Sequence, residues 1–188
     1  MKKHQSTITC LLHLSIINKQ LLLSGGQDNL VFLWNIELKV AIKEFNEHCE
    51  AISDLGYIRD SIFASSSADC TIKIWDALAN KSNDNTCTQE TSIFTIKPTD
   101  FSINTILNLD ILNNDIIVIL DSGKNLIFYD LNKEMIIKTQ ELDFEGIILR
   151  KYYKSNFCCF ICCDLYNVNF FDNIKEIQLN FINLETSI

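Results

Sequence analysis

Serine, histidine and aspartate are the residue types of nucleophilic acyl transfer, and this sequence offers them in two sets. The first is His4, Ser24 and Asp28; the second is His48, Ser65 and Asp69. In each set the Ser stands four residues before the Asp, and a Trp follows that Asp by six (Trp34, Trp75). A nucleophilic Ser needs an exposed elbow and an oxyanion hole, and neither Ser lies in such a motif. A set that occurs twice with one spacing reads as architecture, so no catalytic residue is expected among them.

Cysteine chemistry is the second candidate. Cys158, Cys159, Cys162 and Cys163 contain a C-x-x-C, a pattern used for zinc or for redox exchange. The stretch reads as a strand, however, and alternation turns Cys159 and Cys162 to opposite faces. Cys158 and Cys162 share a face but stand roughly 13 Å apart at about 3.3 Å per residue, too far for one metal ion. No paired His or second C-x-x-C follows, so these thiols are expected to pack as small apolar groups. Cys87 is expected to be an incidental surface thiol. Asp143, Glu145, Asp164 and Asp172 read as solvated loop carboxylates. There is no Gly-rich phosphate loop and no basic aromatic surface, so no metal and no cofactor is expected.

The elements that carry these residues are short strands separated by polar turns. In the first unit they are the apolar run within residues 4–13, read as a buried strand, then 20–24, 30–36 and 40–45. Between the second and third lies Gly25-Gly26-Gln27-Asp28-Asn29, a tight turn in which glycine is expected to supply unusual backbone angles. The second unit repeats the order with strands at 51–57, 61–65 and 71–76 and an edge strand at 92–97 ended by Pro98. Residues 79–91 read as an exposed loop between its third and fourth strands. The third unit has strands at 103–109, 115–120, 125–131 and 135–140. Tyr129-Asp130 stands where Trp-Asp stood, and Gly123 stands where the turn Asp stood, with Asp121 two residues away. A fourth unit, at 146–152, 157–163, 167–172 and 176–182, ends its third strand in Phe171-Asp172.

Bulk properties narrow the function. A chain of 188 residues, 47% of them hydrophobic, can bury a core as one domain. The formal net charge of −8 opposes unspecific contact with nucleic acid or anionic membranes. Eight cysteines in a chain of this length do not make a secreted disulfide scaffold. The start, Met1-Lys2-Lys3 and then an apolar run, is a poor export signal because His13 interrupts the run and Asn18-Lys19-Gln20 follows it. No window reaches the 18 or so apolar residues of a membrane span, so a reducing interior is expected.

The Trp-to-Trp spacing is 41 residues, from Trp34 to Trp75. A repeat of about 40–45 residues ending in a Trp-Asp-like pair is the mark of a β-propeller blade of the WD-repeat kind. The alignment of Leu21 to Asn35 with Ile62 to Asp76 therefore resembles the WD-repeat superfamily. The resemblance implies an all-β fold of about four antiparallel four-stranded blades, at roughly 4–45, 48–97, 101–141 and 145–183, within one partial propeller over 1–188. It also implies that His4, Ser24, Asp28 and Trp34 form one hydrogen-bonded set and His48, Ser65, Asp69 and Trp75 another. A Trp buried between blades needs an acceptor for its indole N–H, a Ser hydroxyl can accept it, and His and Asp can complete the chain.

Four blades do not complete the usual seven-bladed ring. The expectation is a fragment of a longer chain; ring completion by a partner or a second copy, and closure of four blades alone, are the alternatives. The run from His4 to Leu131 is similar to the middle of the WD-repeat subunit of a nuclear complex that works with the midasin ATPase in maturing large ribosomal subunits. The blade after Leu131 lacks that pattern. The resemblance implies a non-enzymatic scaffold docking protein partners in a multisubunit complex, in the nucleus or otherwise the cytoplasm, with no direct nucleic-acid or membrane contact. A substrate receptor or adaptor of another complex, such as a ubiquitin ligase, is the alternative.

Overall fold

The computed structural model describes the backbone of residues 3–16, 19–79, 88–111, 114–142, 148–154, 157–163, 168–172 and 181–183, and the side chains of 3–14, 20–79, 90–103 and 116–142. Seventeen strands and no helix are found among these residues, and no helix is long and apolar enough to cross a membrane. Blade one consists of β1 (Ile8–Ile16), β2 (Lys19–Gly26), β3 (Val31–Asn35) and β4 (Val40–Phe45). Blade two consists of β5 (Ile52–Arg59), β6 (Ile62–Ser67), β7 (Ile72–Asp76) and β9 (Phe94–Ile96). Blade three is β10 (Ile103–Ile111), β11 (Asn114–Asp121), β12 (Asn125–Asp130) and β13 (Met135–Glu141). Blade four is β14 (Ile148–Lys154), β15 (Phe157–Cys163), β16 (Val168–Asp172) and β17 (Phe181–Asn183). Within each blade the neighbours pair antiparallel. The first strands lie side by side, β1 against β5, β5 against β10 and β10 against β14, so the blades form an arc.

Alternation along the strands decides what lies between the blades. One face of blade one puts Leu14, Leu21, Leu23, Val31, Leu33 and Phe45 against Ile52, Leu55, Phe63 and Trp75 of blade two. Phe45 meets the Trp75 ring edge-on, with centroids 5.0 Å apart. The next layer, between blades two and three, is built mostly of isoleucine, with Ile58, Ile72, Ile74 and Ile96 against Ile103, Ile117, Ile119, Ile127 and Tyr129. Trp75 and Tyr129 thus each look back towards the preceding blade. The opposite face of blade one carries Leu11, which is 61% exposed, and the half-buried Trp34. The apolar run that opens the chain is therefore not a buried strand throughout.

A polar stitch accompanies the apolar layers. Thr9, second residue of β1, donates its hydroxyl to the carbonyl of Ile52, first residue of β5, at 2.6 Å. Ser53, second residue of β5, donates to the carbonyl of Ile103, first residue of β10. The same hydroxyl position therefore ties each of these first strands to the next.

Two further sequence expectations are corrected. Gly25 and Gly26 end β2; Gly26 opens the turn by accepting the Asn29 amide, but no described glycine has a positive φ. What they supply is room. A Cβ on Gly25 would lie 2.6 Å from Ile52 and 2.7 Å from Cys10, and one on Gly26 would lie 2.7 Å from His4 and from Asp28. The left-handed turn residues are Asn29, Cys70 and Lys124, at one equivalent position in three blades, Lys39 and Glu134 at another, and Asp60 between β5 and β6. A non-glycine residue in this region is strained by roughly 1 kcal/mol. Glu134→Gly is therefore expected to raise stability by about 0.5–1 kcal/mol despite the greater freedom of the unfolded glycine, a net gain that a urea unfolding curve will read directly.

The second correction concerns residues 79–91. Residues 80–87, with Cys87, lie outside the described residues. Beyond them, β8 (Thr88–Glu90) is a strand, pairing parallel with β4 of blade one, and Glu90 is buried. The end of that stretch is thus not an exposed loop. The side chains of Cys158 to Cys163 and of Asp143, Glu145, Asp164 and Asp172 also lie outside the described residues; the backbone of the cysteine stretch is β15, between β14 and β16.

Candidate functional site

The second set is the more buried of the two. Trp75, on β7, donates its indole N–H to Ser65 Oγ, on β6, at 2.8 Å. Ser65 Oγ lies 2.8 Å from His48 Nε2, and His48 Nδ1 lies 2.8 Å from Asp69 Oδ2. An ionised carboxylate only accepts, so Nδ1 carries the proton and Nε2 accepts from the Ser hydroxyl. Every polar atom in this line then has one consistent direction: indole to hydroxyl, hydroxyl to imidazole, imidazole to carboxylate. Asp69 also accepts from the amides of Cys49 at 3.1 Å and Thr71 at 2.9 Å, and from the Thr71 hydroxyl at 2.6 Å.

The first set has the same form on β2, β3 and the loops around them. Trp34 donates to Ser24 Oγ at 2.8 Å, and His4 Nε2 lies 2.7 Å from that oxygen. His4 Nδ1 bridges both Asp28 oxygens at 2.9 and 3.0 Å, and the Gln5 amide donates to Asp28 at 2.8 Å. Phe32 presents its ring edge-to-face to His4 with centroids 4.8 Å apart. Each Asp thereby pins two segments: the one entering a blade and the turn between its second and third strands.

Electrostatics fix the charge states. Burial pushes the Asp69 carboxyl up, but the hydrogen bonds from Thr71, His48 and Cys49 outweigh it and hold it below its ordinary 3.8. Asp28 is lowered in the same way against its burial, by His4, Gln5 and Leu30. Burial lowers His48 below its ordinary 6.5, more than the nearby Asp69 raises it. Folding therefore favours neutral His48, and the unfolded chain binds the proton more readily. The stability this contributes is complete above pH 6.5 and is lost as pH falls from there through the lowered value. A urea midpoint that drops between pH 7.5 and pH 5, with a drop that shrinks in His48→Asn, is the expected result. A second loss follows below pH 3.8, where Asp28 and Asp69 protonate.

Blade three lacks this line, and the structure shows what replaces it. Thr99 occupies the position equivalent to His4 and His48, four residues before the first strand. Its hydroxyl donates to Asp121 Oδ2 at 2.9 Å. Asp121 Oδ1 accepts from the Asn125 amide at 2.8 Å, and the Asn125 side-chain amide donates to the same carboxylate. Asn125 N is the equivalent of Leu30 N and Thr71 N, which bond Asp28 and Asp69. The carboxylate has moved from the turn to the end of β11 and still pins the turn. Ile119 stands in the Ser position and Tyr129 in the Trp position. Without an indole N–H between the blades, no buried hydroxyl is required to accept it.

The residue after each Trp or Tyr has its own role. Asn35 accepts from the Leu38 amide at 2.9 Å, Asp76 from Leu78 at 2.8 Å, and Asp130 from Asn132 and Lys133 at 2.9 and 3.0 Å. These contacts shape the turn that leaves the third strand. Both serine hydroxyls are buried, Ser24 at 2% and Ser65 at 0% exposure, and each accepts from an indole, so neither is open to a substrate. Among the described residues no group of three or more His, Cys, Asp and Glu is placed to hold a metal ion.

Residues 1–35 and 39–76 match the family described as WD domain, G-beta repeat. The transcriptional corepressor LEUNIG_HOMOLOG of Arabidopsis thaliana is 44% identical over 59 residues, which are 31% of this chain and 8% of that protein. The ASTRA-associated protein 1 of Scheffersomyces stipitis is 28% identical over 76 residues, 40% of this chain and 18% of that protein. The chain thus aligns with only a small part of each of these relatives.

Proposed function

We propose that this chain, whose residues 1–35 and 39–76 match the WD-repeat family, is a non-enzymatic scaffold whose blades hold loops for docking protein partners. The observation that carries this reading is the use of the Ser, His and Asp side chains. They are spent on each other and on loop amides, in two equivalent sets, and so fix the loops instead of attacking a substrate. The net charge of −8 favours protein partners over RNA. The two relatives are named as a corepressor and as an associated protein, names that fit proteins acting through others.

The sharper form of the proposal places the chain in maturation of the large ribosomal subunit, in the nucleus, through the similarity of His4 to Leu131 to the subunit that works with the midasin ATPase. Immunopurification of the native protein with mass spectrometry tests both forms. Reproducible stoichiometric protein partners support the scaffold, and a midasin-type ATPase with large-subunit precursors among them supports the sharper form. Subunits of a ubiquitin ligase or of another complex would remove the ribosomal reading and leave the scaffold. A chain recovered alone would sink both.

A further inference from the structure

The outer edge of blade one is closed by a strand from another blade. Three residues of β8 pair with Lys43, Glu44 and Phe45 of β4, in parallel, whereas neighbours within the blades run antiparallel. Lys43 Nζ meets the Glu90 carboxylate at 3.3 Å, with the two side chains only 12% and 3% exposed. The same ammonium also donates to the carbonyl of Ala79. Past Glu90 the chain turns to blade two: Ser92 donates to Glu47 at 2.6 Å, and the Ile93 amide donates to the Ile74 carbonyl at 2.7 Å. The covering strand is thus a short excursion within the connection between β7 and β9, residues 77–93. The corresponding connections in blades one and three span only residues 36–39 and 131–134.

A sheet edge is a template for an added strand, and natural proteins cover such edges. Backbone bonds supply affinity in strand addition, and side-chain contacts supply selectivity. Here the selective contact is a nearly buried lysine facing one carboxylate. We propose that the β4 edge is a docking groove for an extended segment of a protein partner, entering parallel to β4 with one Glu or Asp at the register of Glu90, and that β8 is its internal occupant. This deepens the scaffold reading and rests on it. The groove reads a single carboxylate and not an acidic run, because the chain's own net charge of −8 repels a polyanion.

The test is fluorescence anisotropy with a labelled peptide copying residues 86–92 and carrying Cys87→Ser. The receptor is the full chain with Thr88→Gly, Gln89→Gly and Glu90→Gly, which weakens the internal strand. This variant is expected to bind the peptide about tenfold more tightly than the wild type, whose groove is occupied by its own strand. A peptide with Glu90→Gln is expected to bind about tenfold more weakly, as is the original peptide to a receptor also carrying Lys43→Gln. No binding by the folded variant, or equal binding of the two peptides, overturns the proposal. So does a stable dimer that excludes the peptide, since the edge would then take β8 of a second copy. If the triple variant does not fold, Glu90→Gln alone keeps the backbone and must still bind the peptide more tightly than the wild type; no gain overturns the proposal. Native co-purification separates the two readings. Partners kept in full by a folded Lys43→Gln chain, together with failed peptide binding, remove the groove and leave the scaffold.

Discussion

Trp75→Ala is expected to lower the unfolding free energy by about 3–5 kcal/mol, the range for aromatic truncations in a packed interior. Trp75 is 1% exposed and sits among Phe45, Phe63 and His48 between two blades. Its removal opens a cavity in the layer that joins them and takes a donor from Ser65. The matched substitution Trp34→Ala costs clearly less, because Trp34 is half-buried on the face turned away from blade two. Trp75→Phe separates the two contributions, since it keeps much of the packing and loses the indole donor; about 1–2 kcal/mol is expected for it. Urea unfolding followed by circular dichroism reads all three. Equal midpoints for Trp34→Ala and Trp75→Ala would mean that the blade-to-blade layer is drawn wrongly.

Asp69→Ala is the second large effect, about 3 kcal/mol by loss of a carboxylate that accepts from four donors. His48 Nδ1, the amides of Cys49 and Thr71, and the Thr71 hydroxyl all point at it. The side chain is 11% exposed, so water does not readily take its place. The damage has a local signature. Hydrogen exchange at Cys49 N and Thr71 N rises sharply, while Leu23 and Leu33 in the interior of blade one keep their protection. Asp28→Ala is milder, because one of the amide bonds it loses, from Leu30, is long at 3.4 Å. Asp69→Ala that unfolds like the wild type would show that the turn is held by other contacts.

Much of the fold was legible because its determinants are local. Each strand of blades one to three announces itself by an apolar run, and each turn by polar residues between runs. The spacing of Ser, Asp and Trp was equally visible, and the repeat, with the lack of a nucleophile-elbow motif at either Ser, set it apart from a catalytic triad. Three features were not legible, for separate reasons. Gly25 and Gly26 look like turn residues in sequence, but their use is a close approach to Ile52 and His4, contacts made across the blade interface and the loop. The Thr99–Asp121–Asn125 group was hidden because it performs a familiar task with other residue types; the signal was Asp121 standing near the missing turn Asp. The pairing of β8 with β4 joins residues far apart along the chain, and no periodicity marks a three-residue strand whose partner lies in another repeat.

The stitch from Thr9 to Ile52 and from Ser53 to Ile103 has a consequence for how the molecule comes apart. Each bond, like each apolar layer, couples one blade to its immediate neighbour. Coupling of this kind propagates stepwise, as in a linear array of units whose stabilities add along a line. Blade two is coupled on both flanks, through Thr9 on one side and Ser53 on the other. Blade three likewise lies between β5 and β14, so these two inner blades should open last, with their amides exchanging only by the largest openings and those of blade one by smaller ones. Weakening one stitch would then loosen cooperation between two adjoining units while leaving the internal order of each intact.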